Sequence, residues 1–193
     1  NQKDAWEYIH SWEYGPQKPG RILNCSDEPG LIWASAAHRN YEPVIHTRFL
    51  ALVEAKFLLI ADLAEGLSSS DSLQLQFHID HPKITLEGTS ALAQWKNRAT
   101  LSITTTAQHP VLLPGKVSDR SDVYRVSTIL QYHKNNCEPA EAFATILYPA
   151  QETAPAVEHL TTSIFEGNGT KKVLITFTIQ GHAYKFTIEG GRP

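Results

Sequence analysis

A chain of 193 residues with 41% hydrophobic content is long enough to fill one core of its own. Its 17 basic and 20 acidic residues leave a formal charge of −3, without runs of either sign, which argues against nucleic acid or an anionic membrane as partner. No apolar run is longer than that of Phe57 to Ala61, which is far short of the about 20 residues that a helix needs to span a bilayer.

The chain opens on Asn1, contains no Met and lacks both a basic and an apolar leader segment, so it is expected to be a piece of something longer. Residues 1–30 place Trp6, Tyr8, Trp12 and Tyr14 among Pro and Gly. They read as an irregular cover laid against a sheet, with a sugar-stacking platform as the alternative. Cys25 and Cys137 lie too far apart in sequence to reveal whether they pair. Asn24-Cys25-Ser26 and Asn168-Gly169-Thr170 fit the N-glycosylation pattern, which matters only in a eukaryotic secretory pathway.

From Leu31 onward short β-rich runs alternate with turn signals, and no segment keeps a helical period. The pattern predicts strands near Leu31–Ala36, Val44–Val53, Lys56–Leu63, Leu73–Ile79, Lys83–Leu86 and Ala91–Trp95. Others follow near Ala99–Thr105, Val123–His133, Ala142–Leu147, Lys172–Ile179 and His182–Ile188. The last two form the clearest hairpin, turning at Gln180-Gly181, where glycine accepts the positive φ of a tight turn. Glu65-Gly66, His81-Pro82 and Leu113-Pro114-Gly115 read as loops inside one domain. The expected fold class is all-β: a large antiparallel β-sandwich of two packed sheets over residues 31–193, with residues 1–30 packed on it.

The stretch FHIDHP, Phe77 to Pro82, is the one dense cluster of metal-type ligands. On a strand His78 and Asp80 share a face and His81 leaves the other, so one face offers two ligands where a catalytic zinc wants three. His46 and Asp62 supply more only if their strands are neighbours, which leaves a zinc hydrolase built on His46, Asp62 and His78 as a third-rank reading. The favoured reading is a strand end that turns at Pro82.

The order WASAAHRNYEPVIHTRFLALVEAKFLLIADLAEG, then LQLQFHIDHP, resembles the C-terminal β-sandwich, of super-sandwich type, of the heparinase II/III-like polysaccharide lyases. The matching features are the turn His38-Arg39-Asn40-Tyr41, the strand opening His46-Thr47-Arg48, the strand end Ile60-Ala61-Asp62 before Gly66, and Phe77-His78. Ile129 to Tyr132 and Ala144 to Pro149 resemble later strands of the family. The departure is Arg39-Asn40, where the family often has Asp-Gly.

The resemblance implies cleavage of acidic, uronic-acid polysaccharide by β-elimination, in partnership with an N-terminal helical toroid of the same polypeptide, in the periplasm or outside the cell. It implies that the zinc ligands and most catalytic groups precede this chain, because its His-x-His and His-Asn-Thr segments are absent here. No cofactor is therefore expected in this chain, with zinc a feature of the full-length enzyme, and the isolated chain is expected to be inactive. Substrate contacts are expected from His38, Arg39 and Tyr41. The competing function is a non-catalytic carbohydrate-binding or structural module.

Overall fold

The computed structural model describes residues 8–10, 13–14, 18, 20–80, 83–120 and 123–191. In chain order its strands are β1 (Tyr8–His10), β2 (Glu13–Tyr14), β3 (Gly20–Glu28), β4 (Leu31–Tyr41), β5 (Val44–Val53) and β6 (Phe57–Glu65). Then come β7 (Ser72–Asp80), β8 (Lys83–Glu87), β9 (Ser90–Gln94), β10 (Thr100–Thr105) and β11 (Val111–Arg120). The last are β12 (Val123–Asn135), β13 (Ala140–Ala150), β14 (Val157–Gly167), β15 (Thr170–Ile179) and β16 (His182–Glu189). No helix occurs among the described residues, so none is long and apolar enough to cross a membrane.

Period-two patterning builds these strands. Along β5, Thr47, Phe49, Ala51 and Val53 are buried while Arg48, Leu50 and Leu52 point to the other face. The hairpin of β15 and β16 closes as predicted, Ile179 pairing with His182 across Gln180 and Gly181, whose φ values are 51° and 76°. Two successive residues in the left-handed region make the kind of turn whose twist matches the strands it joins.

One antiparallel sheet has the order β3-β4-β5-β6-β13-β10-β9-β8, and two three-stranded sheets, β11-β12-β7 and β14-β15-β16, pack on it. The first core joins Phe57, Leu59, Ala144 and Ile146 of the large sheet to Val173, Ile175 and Phe177 of β15. The second joins Ala93, Ile103 and Leu147 of the large sheet to Leu130, Tyr132 and Phe77. Residues 144 and 146 leave one face of β13 and residues 143 and 147 the other, so the two small sheets cover opposite faces. The expected pair of packed sheets is thus an eight-stranded sheet with a split cover.

Each of the predicted strands coincides with an observed one, and the differences lie in strands that the pattern concealed. Residues 20–28, read as irregular, form β3, the edge of the large sheet, exposed along most of its length. Leu113-Pro114-Gly115, read as a loop, lies within β11, an edge strand of the kind that tolerates proline. Gly115 is needed there because a Cβ would sit 2.7 Å from Ser127 Oγ and 2.8 Å from Ile129 Cγ1. In β14 a register shift between Glu158 and Thr161 places two exposed residues in succession and breaks the alternation. Of the N-terminal aromatics, Tyr8 pairs with Tyr14 in the β1–β2 ladder, while Trp6 and Trp12 lie outside the described residues.

Candidate functional site

The site begins at the irregular end of β4. His38 pairs with His46 and Tyr41 with Val44, so Arg39 and Asn40 of β4 face the single residue Ile45 of β5. The extra residue is a β-bulge, and it brings residues 38 and 41, which regular alternation would send to opposite faces, to the same side. The His38 ring lies 5.4 Å from the Tyr41 ring and 4.9 Å from that of His46. Arg48, next on this face of β5, stands opposite Asp62 of β6.

Hydrogen bonds join these side chains in one direction. The backbone N–H of Asn40 donates to His38 Nδ1 at 3.2 Å, which puts the His38 proton on Nε2. That N–H donates to His46 Nδ1 at 3.0 Å, and His46 Nε2–H donates to Asp62 Oδ1 at 2.6 Å. Arg48 closes the chain with Nε to Oδ1 at 2.7 Å and Nη2 to Oδ2 at 3.1 Å, a bidentate pair. Both imidazoles are fully satisfied when neutral.

The electrostatics follow from the burial. Burial alone would raise the Asp62 carboxyl, but the hydrogen bonds and charges of His46 and Arg48 outweigh it and hold it below the usual range. Burial also opposes the Arg48 cation, and Asp62 overcomes that, leaving Arg48 harder to deprotonate than usual. His38 is pushed down, first by burial, then by its neighbour His46 and the positive charge of Arg48, against a weaker opposing pull from Asp62.

His38, Arg39 and Tyr41 therefore do lie together, yet not as three equivalent contacts. Both nitrogens of His38 are committed inward, so this residue shapes the turn. Arg39 is half-buried, and its Nε is shielded from solvent with no hydrogen-bond partner among the described residues. His46 and Asp62 do meet, but His78 does not join them. It is exposed on β7, beside the buried Ile79 that faces the second core. Asp80 instead pairs with Arg125 at 2.7 Å, and His81 and Pro82 lie outside the described residues.

Among the described residues no three His, Cys, Asp or Glu side chains converge as a metal site. The lone pairs of His38 and His46 and the Asp62 carboxylate are spent on one another, on Asn40 and on Arg48. This set does not fit zinc, and His46, Asp62 and His78 do not form a triad. Cys25, exposed, and Cys137, buried, are both free thiols. An open apolar depression of about 650 Å³, lined by Trp95, Thr100, Leu101 and Pro149, contains none of these polar groups.

The arrangement of sheets is found in known structures. A heparinase III gene product superposes with a TM-score of 0.75 at 15% identity, over 88% of this chain and 27% of its own. Heparan sulfate lyase HepC from Pedobacter heparinus gives 0.71 at 19% identity, over 90% of this chain and 29% of its own. A further heparinase III gives 0.70 at 13% identity. The chain has the fold of part of a heparinase III. It spans less than a third of the length of these solved chains. No protein-family profile and no curated protein matches the sequence.

Proposed function

We propose that this chain is the C-terminal β-sandwich of a heparinase II/III-like polysaccharide lyase that cleaves uronic-acid polysaccharide by β-elimination. The observation that carries the reading is the superposition on a heparinase III over 88% of this chain and 27% of that one. In β-elimination a base takes the C5 proton of the uronate, the C4–O bond breaks as the C4–C5 double bond forms, and an acid returns a proton to the departing oxygen. Neutralising the uronate carboxylate makes the C5 proton removable.

Within that reaction the groups of this chain hold and orient substrate. Arg39 supplies a cation whose planar fork suits a carboxylate or sulfate. Tyr41 offers a phenol and a ring face to a sugar. His38, tied to His46 and Asp62, fixes the bulge from which both project. The base, the acid, the helical toroid and zinc, where the enzyme uses it, belong to other parts of the polypeptide, which works in the periplasm or outside the cell.

The test is the ultraviolet absorbance of the unsaturated uronate product on heparan sulfate, alginate and other uronic-acid polymers. The chain alone should release none. The full-length polypeptide should release product, with Arg39→Ala raising KM more than it lowers kcat. Product from the chain alone, abolished by Tyr41→Phe, would place the chemistry here. A full-length polypeptide that binds these polymers without cleaving them would establish a carbohydrate-binding module.

A further inference from the structure

At the end of the large sheet remote from His38, the depression lined by Trp95, Leu101 and Pro149 has the parts of a binding site. Leu101 pairs with Pro149 across β10 and β13, whereas Phe143 of β13 pairs with Asp62. The two rows lie about 20 Å apart along the strand, so the depression is separate from the His38 row. Its volume of about 650 Å³ falls within the about 300–1,000 Å³ of small-ligand sites. Trp95 is fixed before any ligand arrives. It packs on the second core, and its Nε1–H donates to the carbonyl of Asp80 at 3.0 Å. A ring held in this way beside Pro149 offers an apolar platform to the C–H face of a sugar. Asn97 and Gln151 stand at the rim with amides suited to hydroxyl groups, and Asn97 is oriented by the Ala99 N–H, which donates to its Oδ1 at 3.1 Å.

The charge at the mouth selects among sugars. Lys96 and Arg98, both exposed, belong to the loop between β9 and β10 that also carries Trp95 and Asn97. From the segment after β13, Glu152 accepts from Arg98 Nη1 at 3.1 Å. Residues 95–99 and 149–152 thus bring two cations and one carboxylate, a positive mouth in a chain whose formal charge is −3. The ion pair is exposed on both sides and weak, and the guanidinium keeps further N–H donors for a ligand carboxylate. Arg98 has a φ of 67°, in the left-handed region that glycine or asparagine occupies at less cost. Strain of this kind persists where a site requires the side chain.

We propose, resting on the reading above that the chain belongs to an enzyme of uronic-acid polysaccharide, that this depression is a second saccharide site. It takes one uronate unit, stacked on Trp95 with its carboxylate toward Lys96 and Arg98, and anchors the polymer away from the His38 row. The apolar floor selects a sugar ring, and the two cations select a uronate over a neutral sugar.

The probe is an alginate hexasaccharide, which carries carboxylates and no sulfate. It is titrated calorimetrically into the 193-residue chain bearing Arg39→Ala, which removes the cation of the His38 turn. Binding should persist, weaken with added salt, and fall at least about tenfold with Lys96→Glu at an unchanged urea midpoint. Arg98→Gly should also weaken it while leaving the urea midpoint equal or higher, because glycine relieves the strain at that position. Neutral maltohexaose should bind at least about tenfold more weakly than the alginate probe. Absence of alginate binding, binding indifferent to both substitutions, or equal binding of maltohexaose overturns the proposal. Lyase activity of the full-length polypeptide separates the two readings. An active enzyme whose chain binds without regard to Lys96 and Arg98 overturns this inference alone. An inactive polypeptide whose chain binds the probe through them overturns only the lyase assignment.

Discussion

Replacing Asp62 by Asn tests whether the row from His38 to Arg48 is held by charge. The carboxylate, 11% exposed, accepts from His46 Nε2 at 2.6 Å and from Arg48 Nε and Nη2 at 2.7 and 3.1 Å. An amide has the same shape but one acceptor oxygen. With that oxygen toward His46 and Arg48 Nε, its NH₂ opposes the donor Nη2, and the reverse orientation opposes two donors. At least one bond to a charged group is lost, worth about 1.5–3 kcal/mol, and the ion pair with it. Breaking a fully buried pair costs about 3–5 kcal/mol. The Arg48 side chain is 47% exposed and can turn to water, so the expected loss is about 2–4 kcal/mol. Urea unfolding at neutral pH measures it. The acid limb is a second readout. With a folded pKa below the unfolded value of about 3.9, Asp62 stabilises fully above that value, and its contribution disappears as pH falls through the folded pKa. The wild-type and Asp62→Asn curves should converge below about pH 4. A loss under about 0.5 kcal/mol, with curves that stay parallel into acid, would refute the account.

His38 is expected to give a loss of the same sign at higher pH, because its folded pKa lies below about 6.5 and the fold prefers the neutral ring faced by His46, Arg48, Asp62 and Tyr41. Stability should fall as pH drops from about 6.5 toward the folded pKa, by at most about 1.4 kcal/mol per pH unit, and His38→Gln should flatten that slope in urea midpoints taken across the range. Gly115→Ala should destabilise by about 1–3 kcal/mol in the same assay, since its Cβ would meet Ser127 and Ile129 at under 3 Å. Tyr132 donates to the Thr89 carbonyl at 3.1 Å, and burial pushes its phenol up to about 12. Tyr132→Phe should therefore cost about 0.5–1.5 kcal/mol and remove the last tyrosine to ionise in an ultraviolet titration.

How legible the fold was depended on what each strand meets. Val44–Val53 was readable to both ends because one side alternates into the core and turns bound it. The hairpin at Gln180-Gly181 was readable because its conformation is local, needing only residues that accept positive φ. β3 and β11 were not, because edge strands tolerate polar residues, proline and glycine that elsewhere mark loops. β14 was hidden by a bulge, which shifts the alternation that a reader of sequence relies on.

The same division runs through the candidate site. Alternation is local, so the strands of the large sheet other than β3 could be read residue by residue, while His38, Arg39 and Tyr41 were singled out by the family resemblance and lie on the bulge of β4. Which of four distant histidines and aspartates would touch depended on long-range register. His38 meets His46 because β4 pairs with β5, and Arg48 meets Asp62 because β5 pairs with β6. A slip of one residue in either pairing would turn these side chains to opposite faces. The exclusion of His78 was decided a level higher still, when β7 joined a separate sheet and turned that ring to solvent. Such choices are made by packing the two cores, where burying Phe57, Ile103 and Leu130 selects one register among many that local preference leaves equivalent.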